Sequence, residues 1–571
     1  MIPIQDLTIK RDADIKMHSI SLQFFKPLNS LRRISITVFQ ALIRVLFLVG
    51  ISNLAYAATI NVNTQIGASG CDLIEAIQSA NSDSAIGGCV AGSGADEITI
   101  SGLHTINEPF DNAGAPASFG DAGLPTITTS ITISSLNGTS EIKRETNDPL
   151  NLFRIFNVSG GSASLTLNDI EVSGGDVDFE GISSNDNRTR GGGIYLNFAE
   201  LVLNRSIIKN NTAASFGGGI HTLGGRVTIL DSLITGNTTT GSVPALSLNS
   251  DSEVVIINST IENNMSSRGS GNAISALAVD NLIISKSSII NNTAGGINVT
   301  GGNLTMLDST ISGNINDVSM LDGISARIAG VALLGRIDQE SRHRILNSTI
   351  TNNPPPGTLP PSFIDIHGLR VVPPVNTSTG LLAVSVRNTI ISDNGASGSN
   401  GPPLGHEIEV FDDVNFNAED VFFEFSNNII GHAGISESLA LNNVVVDPTT
   451  NQILTSNSAT PISLRNIINP LGNYGGPTLT HTLPPNSPAI DNGVEGNIVL
   501  MIGSAPFWEP GCRGEEFAPG IDPPFRNDQR GFSRPINASC DIGSTEFRTT
   551  DILTSCYVIK AANDNVITFC L

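Results

Sequence analysis

The sequence predicts an all-β protein, a right-handed single-stranded parallel β-helix with a short N-terminal capping helix. One observation is a recurring phrase, (Asn/Asp)-Ser-x-Ile-x-x-Asn, seen at Asp231–Asn237, Asn258–Asn264, Asp308–Asn314 and Asn347–Asn353, with looser copies at Ser206–Asn211 and Ser287–Asn292. A second is its period. The anchors Ile208, Ile234, Ile261, Ile289 and Ile311 are separated by 26, 27, 28 and 22 residues. Periods of 20–50 residues mark solenoids, propellers or arrays. The third is the content of each unit. Short β-branched runs such as Val227–Leu230 alternate apolar and polar, with Gly or Asn at the corners and no helical spacing. A propeller blade needs about 40 residues and a leucine-rich repeat needs its leucine frame, so a coil of parallel β-helix fits best.

In such a coil, equivalent apolar residues stack as internal ladders. The corner residues Asn211, Asn237, Asn264, Asn292 and Asn314 are therefore expected to be structural. Asn tolerates left-handed backbone and bonds its own or a neighbouring turn.

The N-terminus reads as an export signal covering residues 1–57. Lys26, Arg32 and Arg33 precede a mostly apolar stretch, Ile34–Leu54, and Ala55-Tyr56-Ala57 supplies a small-x-small cleavage site. Arg44 interrupts that stretch, and Met17 offers a second start. A retained anchor is the rival reading, and no other segment reaches the roughly 18 apolar residues of a transmembrane helix. Export makes the bacterial cell surface or the exterior the expected location. Beyond residue 57 the chain holds 23 basic and 50 acidic residues, a net charge of −27. Such a surface repels nucleic acid and anionic membranes, because phosphate binding needs clustered Lys and Arg.

Residues 58–108 read as an N-terminal cap. Thr59–Val62 and Asp96–Ile100 look like strands. Between them Asp72 and Glu75 form a capping-box pattern, and Leu73, Ile77 and Ala80 share one helical face. A helix over the first coil would cover an open strand edge, which a solenoid must protect. The run Cys71-Asp72-Leu73-Ile74-Glu75-Ala76, continued by Ile77–Asn81 and Gly94–Ile100, resembles the N-terminal segment of the CSLREA-domain proteins. Here Asp72 stands in place of Ser and Ile74 in place of Arg. The resemblance implies an exported bacterial β-helix and no particular chemistry.

Residues 109–450 form the coils. Ser164–Val172 is a weak repeat copy. Gly191-Gly192-Gly193-Ile194 returns as Gly217-Gly218-Gly219-Ile220, a phrase that resembles the repeats of polymorphic outer-membrane proteins and is expected to pack corners. Past residue 315 the anchors Ile350, Ile391 and Ile430 lie about 40 apart, with Pro-rich additions at Pro354–Pro356 and Pro373-Pro374. Insertions of this kind become loops on one face of a solenoid, often the binding face.

Residues 451–547 carry four phrases: Gly472–Leu483, Ser487–Asp491, Asp528–Pro535 and Cys540–Phe547. In that order they are very similar to the choice-of-anchor Q domain, whose members carry differing surface-anchoring signals. The tail, 548–571, has no assigned role. Six cysteines in an exported chain suggest disulfides. Six allow 15 pairings, and order and proximity favour Cys71–Cys89, Cys512–Cys540 and Cys556–Cys570. Zinc is the rival, but its CxxC-type spacing is absent.

Some β-helix proteins cleave polysaccharides, which takes two carboxylates roughly 5–9.5 Å apart. The candidates are Asp176, Asp178 and Glu180; Asp365 with His367; and His406 with Glu407. None makes a polygalacturonase-like set, and the chain has one Trp and four Tyr to serve as sugar platforms. Solvated acidic loops are the expectation, so no catalytic, cofactor-binding or metal-ligating residue is assigned. A Ca²⁺ site at Asp176, Asp178 and Glu180 is chemically open, since hard cations take carboxylate oxygens. His104, His221 and His432 are expected at turns or on the surface. The functional expectation is adhesion or surface display towards an extracellular glycan or protein. The alternative is a polysaccharide-active lyase or glycoside hydrolase.

Overall fold

A computed structural model gives the fold. It describes residues 57–110, 120–145, 148, 150–179, 186–250, 252–267, 271–315, 326–336, 340–353, 364–374, 382–394, 405–412, 421–436, 440–444, 453–455, 461–494, 498–502, 505–509, 512, 527–536, 539–548, 556–560 and 566–570. The signal segment, Pro354–Pro356 and Glu180 lie outside them.

The chain winds as a right-handed parallel β-helix. One coil runs through Ile194–Asn197, Ala199–Asn204 and Ile207–Lys209, and the next through Ile220–Thr222, Gly225–Leu230 and Leu233–Thr235. Each strand pairs in parallel with its equivalent one coil on, as Ile194 with Ile220, Leu201 with Val227 and Ile208 with Ile234. Stacking produces three long sheets, called here I, II and III in that order around the coil. Sheet III has twelve strands. At about 4.8 Å per strand it is roughly 50 Å long.

The apolar residues of each strand point inward because the side chains alternate with period two. The sheet III ladder Ile142, Val172, Ile208, Ile234, Ile261, Ile289, Ile311, Ile350, Ile391 and Ile430 is completely buried. Its register holds across the wide steps, Ile311 to Ile350 to Ile391 to Ile430. Extra residues in the later coils are thus accommodated without slipping the ladder.

The corner asparagines form a second ladder. Asn211 Nδ2 donates to Asn237 Oδ1 at 3.0 Å, Asn237 to Asn264 at 3.0 Å, Asn264 to Asn292 at 2.9 Å and Asn292 to Asn314 at 2.8 Å. The same Oδ1 atoms accept the backbone N–H of the preceding coil, as Asn264 Oδ1 does from Asn237 N–H at 3.0 Å. Their structural role stands, with one refinement. The left-handed residue is the one before the ladder asparagine, Asn210, Asn263, Asn291 or Asn352, or glycine at 236 and 313. The glycines of Gly191–Ile194 pack corners as expected. A Cβ on Gly192 would lie 2.2 Å from the Thr212 carbonyl oxygen of the next coil.

The cap helix spans Leu73–Ser82, with its capping box formed: Glu75 N–H donates to Asp72 Oδ1 at 2.9 Å and Asp72 N–H to Glu75 Oε2 at 3.3 Å. Leu73, Ala76, Ile77 and Ala80 are buried against the first coils. Cys71–Cys89 and Cys512–Cys540 are bridged. Cys556 faces Cys570 in a short antiparallel pair, with side chains outside the described set. Closing the 18-residue separation of Cys71 and Cys89 stabilises the cap by about 3 kcal/mol, chiefly by restricting the unfolded chain. Replacing both cysteines by serine is expected to cause aggregation and early proteolysis at the N-terminal end. Distant coils should stay protected in hydrogen exchange, because repeats contact only their neighbours; uniform loss of protection would contradict this.

The C-terminal segment turns back along the outer face of sheet III. Gln529 Nε2 donates to Ser288 Oγ at 2.9 Å, Thr310 Oγ1 to Gln529 Oε1 at 2.7 Å, and Ser544 N–H to Thr349 Oγ1 at 3.2 Å. The phrases Asp528–Pro535 and Cys540–Phe547 interlock there. Asp528 accepts from Arg530 Nη2 at 2.7 Å and from the N–H groups of Phe532 and Glu546 at 2.9 and 3.0 Å. Arg534 reaches Glu546 at 2.7 Å and Asp308 of the coil at 3.1 Å. These ions are buried, where only paired charge is tolerated.

Candidate functional site

The candidate acids and histidines fall into five places. Asp176 starts a two-residue strand beside Thr212, and its carboxylate accepts the N–H of Asp178 at 2.9 Å. Burial raises its pKa, opposed by that N–H and by Arg144. Asp178 in turn accepts from Thr240 at 3.1 Å. Both are thus engaged with their own and neighbouring coils.

Asp365 lies on the strand Ile364–Val372, with its side chain outside the described set. His367 Nε2 lies 3.0 Å from Glu409 of the next coil, which also meets Arg370 at 3.2 Å. His406 stacks on His367 with ring centres 5.7 Å apart, while Glu407 takes part in a separate cluster. Neighbours on a strand face opposite ways, so His406 and Glu407 do not act together.

Two histidines correct the surface expectation. His104 is buried on the strand Leu103–Ile106, in register with Ile142, where it fills the core ladder beneath the cap. Burial lowers its pKa. His221 is buried on sheet I. His343, which the sequence did not single out, fills a sheet II core position between Leu304 and Val384; burial lowers its pKa to about 3. A single histidine within an apolar ladder carries no periodic signal.

His221 belongs to the outward row of sheet I, where Asn157, Tyr195, His221 and Ser247 are in register. Arg154 lies over the Tyr195 ring at 4.8 Å, Tyr195 stacks on His221 at 5.4 Å, and His221 Nδ1 meets Ser247 Oγ at 3.1 Å. Burial pushes Tyr195 up to about 12, pulls Arg154 down to about 10 and holds His221 well below its usual value. Burial is the first cause of each shift, and all three side chains are enclosed, so the row is a candidate cluster by its alignment and chemistry alone.

The last cluster closes the asparagine ladder. Asn353 donates to Asn394, and Asn394 Nδ2 donates to Glu407 Oε2 at 2.9 Å. The N–H groups of Asp393 and Asn394 reach the same carboxylate at 2.7 and 3.2 Å. In the earlier coils from residue 193 on, the position of Glu407 holds only glycine or alanine, Ala245 and Ala273 among them, and Gly193, Gly330 and Gly368 each abut a ladder asparagine. The next coil has Ala433 where the following asparagine would stand, so Glu407 supplies the missing acceptor. Burial raises Glu407 to about 7 despite three N–H donors. His432, half-buried at a turn, comes within 3.9 Å of Glu407 and 3.3 Å of Ser392 Oγ. Both contacts use Nδ1. A nucleophile–base–acid relay needs opposite ring nitrogens, so this is a cap and not a triad.

The raised carboxyl has a stability consequence. Its folded pKa exceeds the unfolded value, so the fold favours the protonated form. That stability is full below about 4.5 and is lost as pH rises through about 7. Glu407→Gln mimics the protonated acid. It is expected to gain on the order of 1–3 kcal/mol over the wild type at pH 8 relative to pH 5, read from urea midpoints at the two pH values; parallel pH profiles would contradict it.

No family model matches the chain, and no curated protein matches it. Among solved structures, the crystal structure of a pectate lyase aligns at a TM-score of 0.40 with 14% identity, covering 87% of this chain and 98% of that one. Among the described residues no helix is long and apolar enough to cross a membrane.

Proposed function

We propose that this is an exported rod that presents the outer face of sheet II for contact with an extracellular glycan or protein. The observation that carries this reading is one continuous row on that face. Thr132, Thr166, Val202, Thr228, Val255, Ile283 and Thr305 stand in register on successive strands, each partly exposed. A row of β-branched side chains in register on a sheet face is a preformed contact strip that costs little ordering entropy to use. The two disulfides suit an oxidising compartment. The similarity to CSLREA and choice-of-anchor Q proteins supports surface attachment.

A polysaccharide-active enzyme is the second reading, favoured by the Arg154–Tyr195–His221 stack. A glycan and extracellular-protein binding array, run with an assay for uronate release, separates the two. Display expects a retained ligand that Thr228→Arg releases, with no uronate produced. An enzyme expects uronate release that Tyr195→Phe abolishes.

A further inference from the structure

A cleft of about 380 Å³ lies where residues 464–471 cross a corner of two late coils. Its volume sits at the low end of the range for small-molecule pockets, about 300–1,000 Å³. The coil side supplies Thr351, Asn352 and Asp393, and the crossing segment supplies Leu464, Ile468 and Leu471.

Two features of the coil side depart from the repeat. Asp393 occupies the left-handed corner that holds Asn210, Gly236, Asn263, Asn291, Gly313 and Asn352 in other coils. Asn or Gly satisfies that backbone without charge; the Asp393 carboxylate is an addition of this coil and also lies near the His432 ring. The Thr351 hydroxyl is fully buried at the cleft, with no hydrogen-bond partner among the described residues. A buried hydroxyl left unpaired is costly, and a bound ligand would satisfy it. One cleft wall is thus polar, made by an acid, an amide and a hydroxyl on adjacent coils. The other is mainly aliphatic and also includes Asn469 and His481. Arg465 stands exposed at the lip.

We propose that this cleft binds one sugar ring, its hydroxyls paired with Asp393, Asn352 and Thr351 and its C–H face laid on Leu464, Ile468 and Leu471. A ring has these two chemistries on adjacent surfaces, whereas an aliphatic amine would leave the amide and hydroxyl unused. The guanidinium of Arg465 favours a ring that carries a carboxylate. The proposal rests on the glycan form of the display reading and adds a site away from the sheet II strip.

The test uses the full exported chain with galacturonate, galactose and n-butylamine as probes, followed by titration calorimetry and saturation-transfer NMR. The variants Asp393→Asn and Asn352→Gly introduce residues the repeat itself uses at this corner, so the fold should survive. Galacturonate is expected to bind more tightly than galactose, and each variant should weaken it about tenfold or more with an unchanged melting temperature. Three results would overturn the site: no sugar binding, sugar binding that both variants leave intact, or a preference for n-butylamine. If array glycans are retained equally by wild type and Asp393→Asn, the cleft assignment fails while the display reading stands. If galacturonate binds at the cleft but Thr228→Arg releases nothing from the array, the cleft stands and the sheet II strip fails.

Discussion

Arg534→Leu should detach the C-terminal segment from the coils. The substitution leaves Asp308 and Glu546 buried without their cation, and both are within 1% of complete burial. Breaking a buried ion pair from one side costs about 3–5 kcal/mol. The loss is local, because the described residues of this segment meet the coils at sheet III and the corner before it. Hydrogen exchange should rise across the segment and across the outward strand positions it covers, while the ladder amides near Ile208 and Ile234 stay slow. Asp308→Asn provides the graded case. Burial raises Asp308 to about 7, with Arg534 opposing the shift, so a neutral amide there should cost much less than losing the arginine. Equal destabilisation by the two variants would contradict the network.

Ile261→Asp is expected to be the most damaging single change in the coils. Ile261 is fully buried between Ile234 and Ile289. The aspartate both removes an apolar side chain and places a carboxyl where no partner exists, a loss of at least about 4 kcal/mol. Its neighbour Thr260 is the control, since it faces the opposite way on the same three-residue strand and is partly exposed. Thr260→Asp should change stability by about 0.5 kcal/mol or less. Chemical denaturation of the two variants checks the inside–outside assignment; similar midpoints would refute it.

Much of the coil was legible because a solenoid repeats its local rules. Ile234 predicts Ile261, and the phrase Ile-x-x-Asn places the ladder asparagine one corner later each time. The cap helix was legible for a different reason. Asp72, Glu75 and the apolar face of Leu73–Ser82 are local signals, and Cys71 and Cys89 flank them closely. The candidate sites were less so. His367 meets Glu409 of the next coil, and Glu407 serves Asn394 while facing away from His406, because pairing across coils as well as adjacency along the chain decides which side chains meet.

One signal for the C-terminal contact was present but unread. On one outward row of sheet III, Glu171, Ile207, Leu233 and Thr260 are followed by Ser288, Thr310 and Thr349; on the other, Lys209, Thr235 and Glu262 are followed by Ile290, Ser312 and Thr351. Longer and charged side chains thus give way mostly to small hydroxyls where another segment lies on the sheet.

By itself the sequence determined the coil, its period, its two internal ladders and its N-terminal cap, since each depends on residues within one repeat or one helix. Only the tertiary structure decided where the C-terminal phrases lie and what they do. Gln529 bonds Thr310 across 219 residues and Ser288 across 241. Such contacts follow no period and leave no local pattern, because the surface they need, where Asp308 meets Arg534 and Thr310 meets Gln529, exists only once the coils have stacked.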